Sequence, residues 1–269
     1  MKRKALFAIL ALSTIIACTS LSSAKTISGK DFIEVPILLY HSISEKPAKD
    51  PGILPASSFE KEMKIINDNN YSTYFASEIP KMLEGKERIG KKPITLTFDD
   101  GYESFYTIAF PLLKKHGLKS TIFIIKNRIG KKGYLTMREL REISQSGIVE
   151  IGAHTISHKN LGKIGINEAR VEITESKKSL EKDLNITVKT FAYPYGSFNK
   201  AVEKEVKKAG FTAAFAILQP TVKHPVKELY RLHRINAGKF KQEMQKFLET
   251  GKIKFLRKHF AKSQKTRTA

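Results

Sequence analysis

Between Phe32 and Gly238 short apolar runs alternate with longer stretches in which apolar residues recur every three or four positions. Runs of four to eight apolar or β-branched residues bounded by turn formers predict buried strands. Such runs occupy residues 35–40 (VPILLY), 73–76, 94–98, 119–125 (KSTIFII), 148–151, 188–193, 212–218 and 231–236. The stretches between them predict helices. Ser57 and Glu60 have the spacing of a capping box, with Phe59, Met63 and Ile66 on one face behind it. A short helix is expected over 77–83, and a longer one over 103–116 that Gly117 ends and Pro111 kinks or splits. Thr136 and Glu139 form a second box, opening a helix with Met137, Leu140 and Ile143 on one side and Gly147 at its end. Asn167 begins a long helix to Leu184, and Asn199 caps another that runs to Ala209. Strands separated by helices of this length pair in parallel through right-handed crossovers. Seven or eight such units make an α/β chain that fits a (β/α) barrel better than an open sheet.

The chain has 269 residues, of which 41% are hydrophobic, enough for one large domain with a real core. The ends lie outside that pattern. Residues 1–24 form a signal region: Lys2, Arg3 and Lys4 precede an apolar stretch from Ala5 to Ala17, too short to span a bilayer comfortably. Cys18, the only cysteine, closes that stretch in the series Ile15, Ile16, Ala17, Cys18. This resembles a bacterial lipobox, in which the cysteine is lipidated and becomes the mature amino terminus. The other reading is an ordinary signal cut near Ser22 to Ala24. Either way the mature protein is expected to be exported and to have no disulfide. Residues 33–238 are then one catalytic domain, and residues 239–269 a basic, partly helical C-terminal tail with ten Lys or Arg against Glu243 and Glu249. The net charge of +22 attracts polyanions. There is neither interleaving of aromatic with basic residues nor a finger-like Cys/His set, so nucleic acid is not the expected partner. An anionic envelope polymer or membrane surface is.

The chemistry is concentrated behind two of the strands. Thr97-Phe98-Asp99-Asp100-Gly101 follows the run at 94–98, and His154-Thr155-Ile156-Ser157-His158 follows the run at 148–151. Parallel-sheet enzymes react at the carboxyl ends of their strands. One carboxylate and two imidazoles supply three ligands for Zn²⁺ or another divalent metal such as Co²⁺ or Ni²⁺, leaving a position open for water or substrate. Asp100, His154 and His158 fill that set, and one helical turn after Ile151 would bring the two histidines to one face. Metal-bound water loses a proton near neutral pH and can attack a carbonyl. One aspartate cannot be both ligand and proton acceptor, so Asp99 is the expected general base and Gly101 lets the chain turn there. The barrel also brings His41 and Tyr195 to this mouth.

These segments resemble the NodB-like polysaccharide deacetylases of carbohydrate esterase family 4. Thr97 to Gly101 matches the family's TFDDG motif and His154 to His158 its H-[ST]-x-x-H motif, while Phe191-Ala192-Tyr193-Pro194-Tyr195-Gly196 is similar to its third. The Leu39-Tyr40-His41-Ser42-Ile43 segment looks most like the branch that acts on poly-N-acetylglucosamine. The resemblance implies a deformed (β/α) barrel, a Zn²⁺ or related metal, and hydrolysis of an N-acetyl group on an amino sugar. It implies that the Tyr195 backbone N–H helps stabilise the oxyanion. The general acid is His41 or His233: the early histidine matches that branch, and Leu232-His233 is a loose match to a late Leu-x-His motif. The sequence departs from the family at Ala192, where an arginine often orients the base, and it has no tryptophan for the usual Asp-Trp motif. Arg231 and Arg234 are candidates to orient Asp99 instead. Tyr193, Tyr195 and Phe198 are candidates to line a sugar groove, although Tyr193 and Phe198 fit core packing equally well. The reading is a deacetylase of an N-acetylglucosamine-containing envelope or extracellular polysaccharide. Its alternatives are a catalytically impaired glycan-binding protein on the same barrel and a deacylase of a different amide or ester.

Overall fold

The computed structural model of the protein describes residues 32–46, 50, 52–86, 89–217, 221–254 and 256. The signal region with Cys18, and the tail beyond residue 256, lie outside the described residues.

The central sheet is built from β1 (Ile37–Tyr40), β2 (Ser72–Tyr74), β3 (Pro93–Phe98), β4 (Ser120–Ile124), β5 (Val149–Ala153), β6 (Thr190–Ala192), β7 (Ala213–Ala216), β8 (Leu232–His233) and β9 (Ile235–Asn236). All neighbours pair in parallel, in the order β8, β7, β6, β5, β4, β3, β1, β9. β2 shares one edge of β3 with β4, covering its amino-terminal half. The two ends of this order, β8 and β9, are successive pieces of one stretch broken at Arg234. That stretch therefore nearly closes the sheet into the expected α/β barrel, deformed where β8 gives way to β9.

Strand residues alternate between two cores, because successive side chains leave opposite faces. Along β3, Ile94, Leu96 and Phe98 pack outward against the helices, as do Leu38 and Tyr40 of β1. The interior is filled by Ile37, Phe123, Ala192, Ala213, Phe215 and Leu232. It is a packed core, not a pore. Inward positions of β3 are Thr95 and Thr97, so the next inward position is Asp99.

The outer layer contains α1 (Ala56–Asp68), α2 (Ile79–Leu83), α3 (Phe110–His116), α4 (Met137–Gln145), α5 (Ile166–Leu184), α6 (Lys200–Lys208) and α7 (Lys241–Thr250). The Thr136–Glu139 box forms, with Thr136 N–H donating to Glu139 at 2.8 Å, and Asn199 accepts from Ala201 and Val202 N–H at 3.0 Å. The Ser57–Glu60 box does not. α1 begins two residues earlier with Pro55 at its cap, which has no polar side chain, and Ser57 falls inside the first turn. Pro111 splits its helix as expected: a π-helical turn, Phe105–Ala109, precedes α3. α7, in the segment read as a basic tail, buries Met244, Phe247 and Leu248 in the outer core. Tyr71 hydroxyl bonds the Leu248 carbonyl at 2.9 Å, so packing continues past Gly238.

Candidate metal centre at the barrel mouth

Because the barrel strands are parallel, the loops after β1, β3, β5 and β6 emerge at one mouth. Asp99 N–H extends the ladder by one bond to Tyr40 carbonyl at 3.0 Å, which aims its side chain inward. Asp100 and Gly101 then turn sharply, with φ of 74° and 76°. This left-handed pair ends strand alternation and lets the neighbouring carboxylates reach the same space. A Cβ at position 101 would also lie 3.1 Å from Ile124 Cδ1, a tight contact.

The histidine loop is not the helical turn expected from its spacing. It is a bend in which Thr155 and His158 have φ of 67° and 64°. Glu172, buried on α5, holds it: one carboxylate oxygen accepts from Ile156 and Ser157 N–H at 2.9 Å, the other from Ser157 hydroxyl. Thr155 Oγ1 accepts from His158 N–H at 2.9 Å. Glu172 was not singled out from the sequence, although its place on the face shared by Ala169, Ile173 and Ser176 is a signal: a carboxylate on a core-facing stripe needs polar partners.

One ligand atom from each of Asp100, His154 and His158 lies within 4.8 Å of the others. Asp100 Oδ1 is 3.5 Å from His154 Nε2 and 3.3 Å from His158 Nε2. That oxygen is buried and has no hydrogen-bond partner among the described residues. His154 Nδ1 is 2.7 Å from Ala192 carbonyl, which can only accept, so its proton resides there and Nε2 keeps a free lone pair. His158 Nδ1 lies 3.2 Å from Tyr195 hydroxyl. Burial lowers the His158 pKa, and a proton on His154 would lower it further, against the pull of Asp100 and Asp99. An orphaned oxygen facing two imidazole nitrogens whose opposite edges are engaged fits a divalent cation.

Asp99 is 3.8 Å from His154 Nε2 but is committed elsewhere. Both its oxygens take hydrogen bonds of 2.7 Å from the two terminal nitrogens of Arg234, which is fully buried. Burial alone would raise this carboxyl, but Arg234, helped by His154 and His41, outweighs it and holds the pKa at about 2. Of the two arginines considered, Arg231 instead reaches Glu203, at 3.7 Å. The guanidinium of Arg234 also lies 5.5 Å from the Phe123 ring inside the barrel. Ala192 faces the same interior core. The alternation Leu232, Arg234, Asn236 in a barrel strand was the available signal, since an inward charge requires a counter-charge.

His41 follows β1 at this mouth. Burial lowers its pKa, opposed by the charges of Asp99 and Asp100. His233 leaves the other face of the broken strand from Leu232, which faces the barrel interior. His224 is fully buried and bonds Val35 carbonyl through Nε2 at 2.9 Å, because the strand Lys223–Pro225 pairs antiparallel with Phe32–Glu34. Tyr195 is exposed, its ring centroid 4.7 Å from that of His158. It occupies a left-handed conformation, φ 59°, in the turn Pro194–Gly196, which Gly196 N–H closes by donating to Tyr193 carbonyl at 2.9 Å. The groove expectation for Tyr193 is corrected. Tyr193 is fully buried, its hydroxyl bonds Tyr230 carbonyl at 2.9 Å, and its ring stacks on the partly buried Phe198 at 4.5 Å, so the pair closes the core beneath the turn.

Comparison with known proteins bears on the whole arrangement. The family model for polysaccharide deacetylase matches residues 86–214. YxkH of Bacillus subtilis (strain 168), named for the same family, is 35% identical over 205 residues, covering 76% of this chain and 72% of the relative. The poly-beta-1,6-N-acetyl-D-glucosamine N-deacetylase of Staphylococcus aureus (strain MRSA252) is 28% identical over 197 residues, 68% of this chain and 67% of that one. Among solved structures, the Streptococcus pyogenes deacetylase PplD in complex with acetate superposes with a TM-score of 0.71 at 26% identity, covering 76% of this chain and 92% of that one. With the motifs standing at one mouth of the same barrel, the chain belongs to the polysaccharide deacetylases, hydrolases that act on amides.

Proposed function

We propose that this protein is a metal-dependent hydrolase that removes N-acetyl groups from an N-acetylglucosamine-containing envelope or extracellular polysaccharide. The observation that carries the reading is the unpartnered Asp100 oxygen, aimed with His154 and His158 at one point beside the Asp99–Arg234 pair. Those three residues would hold Zn²⁺, Co²⁺ or Ni²⁺, which supplies acidification of water and polarisation of the acetamide carbonyl.

The rest of the reaction falls to the chain's own groups. Asp99, kept ionised by Arg234, takes a proton from the water that attacks the acetamide carbon. The Tyr195 backbone N–H donates to the carbonyl oxygen as it gains charge. His41 gives a proton to the amine nitrogen as the C–N bond breaks, so acetate and a free amino sugar leave. Tyr195, exposed at the rim, offers a ring face to the pyranose. Arg234, paired with Asp99, takes the orienting role left open by Ala192 in this reading.

The same reading places the protein outside the cytoplasm, anchored through lipidated Cys18 or released after signal cleavage. The basic tail would then hold it against an anionic envelope polymer or membrane surface. The test is acetate release from β-linked N-acetylglucosamine oligomers, together with metal analysis. Turnover by the intact protein, lost in Asp99→Asn while stoichiometric metal is retained, is expected. Stoichiometric metal without acetate from any oligomer refutes the proposal.

A further inference from the structure

Beside the metal centre lies an open cleft of about 470 Å³, lined by Asn127, Arg128, Lys131, Lys132, Tyr134 and Ser157. It is within the size range of small-ligand sites. Its charge is unbalanced: none of Arg128, Lys131 and Lys132 has a carboxylate partner among the described residues.

The cleft is fixed relative to the metal ligands. Its basic loop, which follows β4, is tied on one side to the histidine loop, with Lys126 and Asn127 N–H donating to the carbonyls of Thr155 and Ile156 at 3.1 and 2.9 Å. On the other side it is tied to the aspartate loop, with Leu135 N–H donating to Gly101 carbonyl at 2.9 Å and Glu103 N–H to Gly133 carbonyl at 3.0 Å. Within it, Gly130 N–H donates to Leu135 carbonyl at 2.9 Å. Tyr134 stacks on Tyr102, two residues beyond Asp100, at 5.1 Å and 23°. The Arg128 guanidinium lies 5.4 Å from the Tyr134 ring. Ser157 adjoins the ligand His158. A polymer with one acetamide in the metal centre would therefore place a neighbouring sugar against three cations and an aromatic face.

We infer that this cleft is a subsite for an anionic substituent, carboxylate or phosphate, on a sugar unit next to the one being deacetylated. A cation fork over an aromatic ring beside two lysines suits an acidic sugar, and a neutral homopolymer leaves all three charges unanswered. The inference deepens the proposed deacetylase reading and rests on it for the position of the reacting unit.

The test measures binding and turnover separately. Dissociation constants are determined at about 50 mM salt, where surface charge is weakly screened. The probes are neutral N-acetylglucosamine oligomers, equal-length oligomers in which alternate units carry a 3-O-lactyl carboxylate, and oligomers carrying a 6-phosphate. The intact protein is expected to bind at least one anionic series about ten-fold more tightly than the neutral one, and comparison of the two series identifies the group. The triple variant Arg128→Gln/Lys131→Gln/Lys132→Gln should lose that preference and keep its affinity for neutral oligomers. A control, Lys182→Gln/Lys204→Gln on the outer helices, should retain it. Equal affinity for all three probes in the intact protein, a preference that survives the triple substitution, or equal loss in the control overturns the inference. Acetate release in the same samples reports on the reaction itself. A binding preference without acetate from any probe would refute the deacetylase reading and leave the anionic subsite standing.

Discussion

Arg234 and Asp99 form a buried ion pair whose removal has a consequence large enough to measure. Both are buried, and two 2.7 Å bonds join them in the fork geometry that only arginine supplies. Arg234→Met removes the guanidinium while roughly filling its volume, leaving an ionised carboxylate in the barrel core. Breaking one side of such a pair costs about 3–5 kcal/mol, because the surviving charge stays desolvated. In a domain of this size about 1 kcal/mol corresponds to roughly 2–4 °C, so Tm should fall by roughly 6–20 °C. Asp99→Asn should also destabilise, by stranding the arginine. The assay is thermal unfolding of metal-stripped protein by circular dichroism for both single variants and the double. The double should lie about 2–3 kcal/mol above the sum of the singles, since both charges have then gone. Arg234→Lys keeps the charge but not the fork, and should fall between wild type and Arg234→Met. Additivity of the two substitutions within about 0.5 kcal/mol would refute the argument that the pair is coupled.

Three other outcomes follow from the geometry. Glu172→Ala strips the acceptor from Ile156 and Ser157 N–H, so Zn²⁺ affinity measured by calorimetry should weaken about 10–100-fold with the far-ultraviolet spectrum unchanged; unaltered affinity would show that the loop holds itself. Glu62, buried beside Tyr40 hydroxyl at 2.8 Å, has its carboxyl pushed up to about 8, chiefly by burial. Its folded pKa lies above its unfolded value, so the fold retains a proton that the unfolded chain releases, and stability should fall as pH rises from about 4.5 to about 8, by several kcal/mol at most. Glu62→Gln should flatten that part of the Tm profile, and an unchanged slope would count against the burial argument. His41→Ala should lower kcat for acetate release about 100-fold or more, and His233→Ala should leave it near wild type, because His233 leaves the strand face opposite to that of Leu232 and Arg234. The reverse pattern would reassign the acid.

Local information alone settled much of this protein. The alternation of apolar runs with helical stretches specified parallel pairing, and hence a barrel with every loop after a strand at one mouth. Caps at Thr136 and Asn199 were legible because they depend on residues two or three positions apart. The segments at 97–101 and 154–158 named Asp100, His154 and His158 as candidate ligands through residue type and adjacency, and the fold brings them within 4.8 Å of one another. The tertiary structure decided what depends on distant partners. The spacing of His154 and His158 suggested a helical turn, but Glu172 on α5 supplies acceptors that make a bend with two left-handed residues the better-bonded form. Tyr193 has the composition of a sugar-binding ring and the position of a core residue, and only packing against Phe198 and Tyr230 distinguishes them. Arg234 lies 135 positions from Asp99, and which arginine orients the carboxylate is fixed by the inward face it shares with Leu232 and by the barrel closure that brings it opposite Asp99. Sequence patterns report the period of a strand or helix, whereas charge pairing across a closed sheet depends on which strands become neighbours, and that is a property of the assembled barrel.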